Sequence, residues 1–407
     1  MKNLFSLGKL YVSDFLSESD VLRAEPTELK LLLDKNGAVR LERVVKKELM
    51  YGRYWYRSGT NDTMRKNLKD VVDSILSVKK LKNDDVWLDI ACNDGTLLSF
   101  VPDFLTKVGI DPADDSYKNE SSKVAEIFQD FFSADAYRST KAGNKNCSVI
   151  TTIAMFYDLD DPVPFLNDIY DVLDDDGLWV LQLSYTPLMI EQMAFDNICH
   201  EHIYYYSLFN LKKLFEENRL QIVDAQLNDV NGGSIRLYVM KDKANLKKFA
   251  SQPHRDVCNF RLNSILSYEN KLALDDEKTW LNFFNEIESL KTKTVNFIKS
   301  EKRNGKKIWA YGASTKGNTL LQYFGLNDEL IDGIAERNPH KFGLKTIGTN
   351  IKIFSEQEMR NEKPDYLLVL PWHFISEFID REKEFLLNGG KFIVPCPKFE
   401  IIGVENI

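Results

Sequence analysis

Apolar residues recur at helical spacing in LKDVVDSILSVKKL, which begins at Leu68, and after the polar stretch KNDD comes the run VWLDIAC at 86–92, which reads as a buried strand. The next apolar runs are KVGIDPA, CSVITTIAMF and GLWVLQLSY, separated by helical stretches such as FLNDIYDVL. Such alternation predicts a parallel α/β sheet. A helix over 207–220 follows, and then QIVDAQLND and SIRLYVMK, two alternating runs joined by Asn231, Gly232 and Gly233, which predict an antiparallel hairpin. The first α/β domain is thereby expected over 68–241. Residues 242–303 are charged, amphipathic and helical, a connector whose apolar face is expected to pack between domains. From 304 to 407 a second cycle runs through KKIWAYGAS, TKGNTLLQYF, LIDGIAE, DYLLVLPW, SEFIDREKEFLLNGG and KFIVPC, predicting a smaller Rossmann-like sheet. Residues 1–67 mix charge with short apolar groups and read as a small α+β cap.

Composition narrows the partners. The 407 residues are 43% hydrophobic and 28% charged, as in a soluble globular protein, with no repeat and no low-complexity tract. The net charge is −8 and no segment concentrates lysine or arginine, so nucleic acid is not an expected partner. A small anionic ligand would have to be held by local donors. Five scattered cysteines form no CxxC pair, which argues against a metal site or a disulfide framework. No apolar leader or membrane-length run is present, and a cytoplasmic location is expected.

The strand VWLDIAC ends in Asn93-Asp94-Gly95-Thr96 and then a helix, which places a tight turn at the carboxyl edge of the first sheet, where nucleotide ligands sit. Asp89 can accept from the ammonium of a methionine moiety, and Asp111, ending the next strand, can take both hydroxyls of a ribose. A full GxGxxG is absent, and an acidic loop suits a sulfonium better than a pyrophosphate. A doubly wound sheet closed by an antiparallel hairpin resembles the class I methyltransferases, and S-adenosylmethionine is the expected cofactor. An ordinary strand-to-helix turn is the other reading of these residues.

The segment Phe195 to Ser207 carries His200, Glu201 and His202, two of the chain's five histidines with a carboxylate between them, followed by Tyr204, Tyr205 and Tyr206. A histidine near neutrality can remove a proton, and a neighbouring carboxylate or tyrosine can orient it. Two alternatives remain open at this level: a metal pair, which lacks a third ligand nearby, and an aromatic–polar cluster sealing the sheet end. The second glycine segment, Gly312 to Asn318, can hold a diphosphate on backbone N–H groups with Lys316, or can be a tight turn with a solvated lysine.

Eight ordered stretches resemble the sugar C-methyltransferases that act on nucleotide-linked keto-deoxysugars: YWYRSGTNDTM, DIACNDGTLL, TIAMFYDLDDP, FDNICHEHIYYYSL, NGGSIRLYV, YGASTKGNTLLQYF, ERNPHKFG and PWHF. They cover the chain from about residue 50 onward. The resemblance implies that Asp89, Ala91, Cys92, Asn93, Asp94, Gly95, Asp111, Pro112 and Met155 serve the cofactor. It implies His202 as the general base, supported by Glu201 and His200, with Tyr56, or Tyr54 as the second choice, as the tyrosine contributed by the N-terminal segment. It implies substrate contacts from Tyr54, Cys199, Tyr206, Arg236, Gly312, Ser314, Lys316, Gly317, Asn318 and His373, and a nucleotide-sugar-binding role for the C-terminal domain. The chain departs from that pattern in three places. No cysteine precedes Cys92, so the zinc module of some members is missing; Cys199 stands where some have tyrosine; and Ala91 replaces a frequent glycine. The expected activity is C-methylation of a nucleotide-linked keto-sugar, with methylation of oxygen or nitrogen, or non-catalytic binding of both ligands, as the alternatives.

Overall fold

Seven strands form the sheet expected from the apolar runs between 86 and 241: β1 Val86–Ile90, β2 Thr106–Ile110, β3 Glu126–Phe128, β4 Cys147–Ile153, β5 Leu173–Ser184, β6 Leu220–Asn228 and β7 Ser234–Lys241. Their order is β3-β2-β1-β4-β5-β7-β6. The first five are mutually parallel, and β7 runs antiparallel to both β5 and β6. This is the class I methyltransferase arrangement. Strand order reverses at β1 and β4, so the crevice beyond their carboxyl ends is the ligand position in such a sheet. The helix Asp62–Val78 begins earlier than expected, because Asn61 caps it by accepting from the Met64 N–H, and it buries Met64, Leu68, Val71, Val72 and Ile75 on the sheet.

This is a computed structural model, and it describes residues 1–20, 25–35, 37–46, 49–50 and 55–406. The chain forms two compact units: one of residues 51–187 and 203–274, the other of residues 1–50, 188–202 and 275–407. The first carries the seven-stranded sheet. The second carries a six-stranded sheet of β8 Ile308–Tyr311, β9 Ile334–Glu336, β10 Ile353–Ser355, β11 Tyr366–Val369, β12 Lys391–Val394 and β13 Glu400–Ile402, in the order β10-β9-β8-β11-β12-β13. All are parallel except β13, which pairs antiparallel with β12. Here the order reverses at β8 and β11.

These units redraw the boundaries expected from the pattern. The connector over 242–303 is not one element: the helix Gln252–Leu272 falls in the first unit and the helix Glu277–Arg303 in the second. Each helix buries its apolar stripe in its own unit. The longer one buries Trp280, Phe283, Ile287, Leu290, Thr294 and Ile298, and Phe284 stacks on Phe5, 4.9 Å between centroids. Nor is the N-terminal cap separate. Lys2–Leu10, Thr27–Leu33 and Val39–Leu41 pair as antiparallel strands, and Phe15–Leu16 pairs with Lys345–Thr346. Gln322 fastens the same segment by accepting from the Tyr11 N–H at 2.8 Å and donating to the Tyr11 carbonyl at 3.2 Å. Among the described residues, no helix is long and apolar enough to cross a membrane.

Residues 188–202, expected within the first domain, group with the second unit. They leave the first unit and return to it by covalent continuity, while their side chains pack in the second. Phe195 is buried and stacked on Phe324, 5.3 Å between centroids, and Asp196 accepts from Trp372 Nε1 at 3.3 Å. Truncation of Phe195 to alanine is expected to destabilise the second unit by about 3–5 kcal/mol. Hydrogen exchange should rise first in 188–202, and unchanged protection there would show that the ring is not its anchor.

Candidate functional site

The cofactor turn is built from the end of β1. Ala91 has φ +57° and Asn93 φ +52°, both left-handed, and Gly95 follows at φ +76° as the residue before the helix Thr96–Phe100. A Cβ on Gly95 would lie 2.8 Å from Ser121 Cα, so only glycine fits there. Ala91 holds a conformation that costs an L-residue about 1–2 kcal/mol.

Side chains around this turn divide into those that hold it and those left for a ligand. The Asn93 N–H donates to Asp111 Oδ2 and the Ala113 N–H to Asp111 Oδ1, both at 2.8 Å. Each carboxylate oxygen keeps a lone pair for a ribose hydroxyl. Burial raises the Asp111 pKa above the usual carboxylate value. Asp89 is buried and accepts from the Thr151 hydroxyl at 2.6 Å, and that hydroxyl in turn accepts from Trp87 Nε1 at 3.2 Å. Burial chiefly, and the Asp111 charge, push the Asp89 pKa up to about 7 against the opposing Thr151 bond. Asn93 and Asp94 turn their side chains to the neighbouring segment. Asn93 Oδ1 accepts from the Ser58 N–H at 3.0 Å, and Asp94 Oδ2 accepts from the Gly59 N–H at 2.8 Å. Cys92 packs inward against Gly109, where a Cβ would meet its sulfur at 2.6 Å, and burial holds its thiol protonated. Pro112 follows Asp111 in the loop, and Met155 follows the left-handed Ala154 at the end of β4.

Tyr56 belongs to this unit. Asn93 Nδ2 donates to its carbonyl at 3.0 Å. Enclosure of its hydroxyl and the Asp94 charge raise its pKa, so the phenol stays protonated, although 41% of the residue's surface is exposed. Arg57 lies 4.1 Å from the Tyr117 ring centroid and pairs with Glu120 at 2.6 Å, an anchor the pattern alone did not single out. Tyr54 lies outside the described residues. Tyr206 is buried and stacks on Tyr204 at 5.3 Å. Arg236, expected at the substrate, is instead enclosed: it donates to Asp70 at 2.9 Å and to Gln182 at 3.1 Å, bracing β7 against the helix 62–78. A cluster of Asp224, His254 and Cys258 was also not foreseen, but its carboxylate is already committed to Arg261 at 2.9 and 2.5 Å.

The His200–His202 segment and the second glycine loop come together within the second unit. Gly312 has φ +84°, and a Cβ there would strike Pro371 Cγ at 2.6 Å. Ser314 caps the helix Thr315–Phe324 by accepting from the Gly317 N–H at 2.9 Å, and Gly317 permits close approach to Leu370. The loop is pinned from beneath: Glu336 accepts from the Ala313 N–H at 3.0 Å and Lys341 donates to the Ala313 carbonyl at 2.7 Å. Neither residue was expected here, though both lie in or beside the quoted ERNPHKFG block. Asn318, expected at the substrate, instead donates to Ser13 Oγ at 3.2 Å and to the Asp14 carbonyl at 3.0 Å, tying down the N-terminal segment.

Lys316 donates to Asn197 Oδ1, and the Asn197 backbone meets the His202 ring. His202 and His373 each keep some exposed surface, while the surrounding protein first and the Lys316 ammonium second hold both imidazoles down to about 3. Both rings are therefore neutral at physiological pH. His200 is buried and turned away, its Nε2 lying 3.1 Å from the Thr27 carbonyl. Glu201 has an enclosed Oε2 without a hydrogen-bond partner, and burial raises its pKa despite its bond with the buried Cys199.

The residues fit the expected cofactor by the chemistry of their donor set. Asp89 and Asp111 place buried carboxylates at the ends of β1 and β2, a set that suits an ammonium, a sulfonium and ribose hydroxyls and would repel a phosphate. The methyltransferase domain family matches residues 61–225, and the C-methyltransferase C-terminal domain family matches residues 229–397. The chain is an S-adenosylmethionine-dependent methyltransferase, and the second of its two matched domains is the C-terminal domain of C-methyltransferases. It is 28% identical over 367 residues to the C-methyltransferase NovU of Streptomyces niveus, which spans 90% of this chain and 85% of that protein. Among solved structures, the plantazolicin methyltransferase BpumL is 12% identical, with a TM-score of 0.36 over 45% of this chain and 87% of its own. A methyltransferase from Clostridium acetobutylicum is likewise 12% identical, with a TM-score of 0.35 over 45% of this chain and 93% of its own.

Two outcomes follow for the cofactor turn. Ala91→Gly should stabilise the protein by up to about 1 kcal/mol, the relieved strain less the extra freedom of unfolded glycine, in a denaturant melt. The raised Asp89 pKa means the folded state favours the protonated acid. Its contribution is complete below the unfolded value of about 3.9 and is lost as pH rises through about 7, with a slope of up to about 1.4 kcal/mol per pH unit. Subtracting the pH–stability curve of Asp89→Asn isolates this loss, and a flat difference between pH 4 and pH 7 would refute it.

Proposed function

We propose that the protein methylates a carbon beside the ketone of a nucleotide-linked sugar, with His202 as the base. The observation that carries this reading is the gathering of His202, His373 and Lys316 at β8 and β11, where the order of the second sheet reverses. Such a position suits a nucleotide, with backbone N–H groups at the start of the helix 315–324 and Lys316 for its diphosphate.

A carbon next to a ketone is no nucleophile until it loses a proton. Neutral His202 takes that proton, and the electron pair left behind moves into the enolate. Tyr56 and Glu201, both favoured in their protonated forms, are assigned as donors to oxygen that gains charge. Asp89 and Asp111 orient the methionine and ribose portions of the cofactor. When bound, S-adenosylmethionine supplies the electrophilic methyl group. Methylation of nitrogen or oxygen would lean on proximity and would not need a carbon base.

His202→Ala should lower kcat by about 10²–10⁴-fold while leaving adenosylhomocysteine affinity unchanged by calorimetry. The variant should also stop washing solvent deuterium into the keto-sugar. Retained exchange with retained turnover would assign the base elsewhere, and methyl transfer to a hydroxyl or amine of the product would replace carbon as the acceptor.

A further inference from the structure

Lys316 occupies a position that links substrate binding to proton transfer. Its ammonium donates to Asn197 Oδ1, and Asn197 is the residue whose backbone meets the His202 ring. Asn197 is buried within a short helical turn, Phe195–Asn197, that is locked to the second unit by the Phe195–Phe324 stack and the Trp372–Asp196 bond. The turn therefore has little freedom to carry His202 away from the cation. We propose that Lys316 couples the anionic handle of the substrate to the proton-accepting power of His202, suppressing the base until a diphosphate claims the ammonium.

The physical basis is charge. A cation beside a neutral imidazole opposes the arrival of a proton on that ring, and a diphosphate bound to the same cation removes the opposition and adds attraction. The groups gathered around this point come from five places in the fold. Lys316 lies on the helix 315–324, and Asp196 and Asn197 on the 195–197 turn. Cys199, His200 and Glu201 share the His202 segment, and His373 follows β11. Cys396, just beyond β12, feels the Asp196 charge. Of these, the Asp196 carboxyl is raised by burial but opposed by Lys316 and Trp372 Nε1, and His200 is turned to Thr27, which leaves the Lys316 ammonium as the movable charge. The consequence is that binding energy from the nucleotide end is used at the reacting carbon, so a truncated substrate should lose turnover and not only affinity.

This inference rests on the proposed nucleotide-sugar reading, and the test separates the two. The chain has five histidines, so ¹⁵N-histidine NMR of the full protein can follow each ring, with His202→Gln and His373→Gln spectra fixing the assignments. Titration with and without saturating uridine diphosphate or thymidine diphosphate is expected to move the His202 midpoint upward by about one to two pH units. Lys316→Met should show the raised midpoint without ligand, and Lys316→Arg should keep the wild-type value. Turnover should fall at least about tenfold when the sugar 1-phosphate replaces the nucleotide-linked sugar at saturation. A diphosphate that binds by calorimetry but leaves the His202 midpoint unmoved, or a truncation that raises KM alone, overturns the coupling and spares the substrate reading. Failure of both diphosphates to bind overturns the substrate reading and the coupling with it.

Discussion

The turn Phe195–Asn197 is the constraint on which the candidate chemistry depends. It lies in a stretch that the chain sends out of the cofactor-binding unit after Pro187 and takes back at Ile203. Burying Phe195 against Phe324, satisfying Asp196 with Trp372 and offering Asn197 to Lys316 all commit this stretch to the other unit. A side chain held by packed, hydrogen-bonded neighbours keeps its geometry with less entropy to lose than one on a free loop. His202 is thus placed by residues whose own task is packing.

The two units gather side chains of opposite charge. In the first, carboxylates converge on the end of β1, and two of them, Asp89 and Asp111, are pushed toward neutrality by burial. Such groups favour a cationic ligand, because its charge restores what burial takes away. In the second, lysines attend the glycine loop: Lys341 braces it from beneath while Lys316 stands at its helix start. In a chain of net charge −8 these are local arrangements, set against the overall field.

Much of the fold was legible because its signals are local. Buried parallel strands are continuous apolar runs, the β6–β7 hairpin carries Asn231-Gly232-Gly233, and both glycine turns sit where strand passes to helix. The tight turn after β1 was legible for the same reason. What stayed hidden were partnerships across long sequence distances. Arg236 reads as a basic residue near a ligand, yet its donors go to Asp70 and Gln182. Asn318 reads as part of a phosphate loop, yet its amide holds Ser13 and Asp14. No periodicity marks Lys341 or Glu336 as the clamps on Ala313.

The sequence by itself determined the two α/β sheets, the acidic cofactor turn and the residue types available for proton transfer, since each rests on patterns spanning a few residues. Tertiary structure alone decided that residues 188–202 and the N-terminal strands pack with the C-terminal sheet, and that the two long helices part between the units. It also gave the two histidines different surroundings: His200 lies against the Thr27 carbonyl, whereas His202 stands within the influence of Lys316. The physical reason is that burial, desolvation and Coulomb interaction depend on distance in space. Neighbours more than a hundred residues apart in the chain set them.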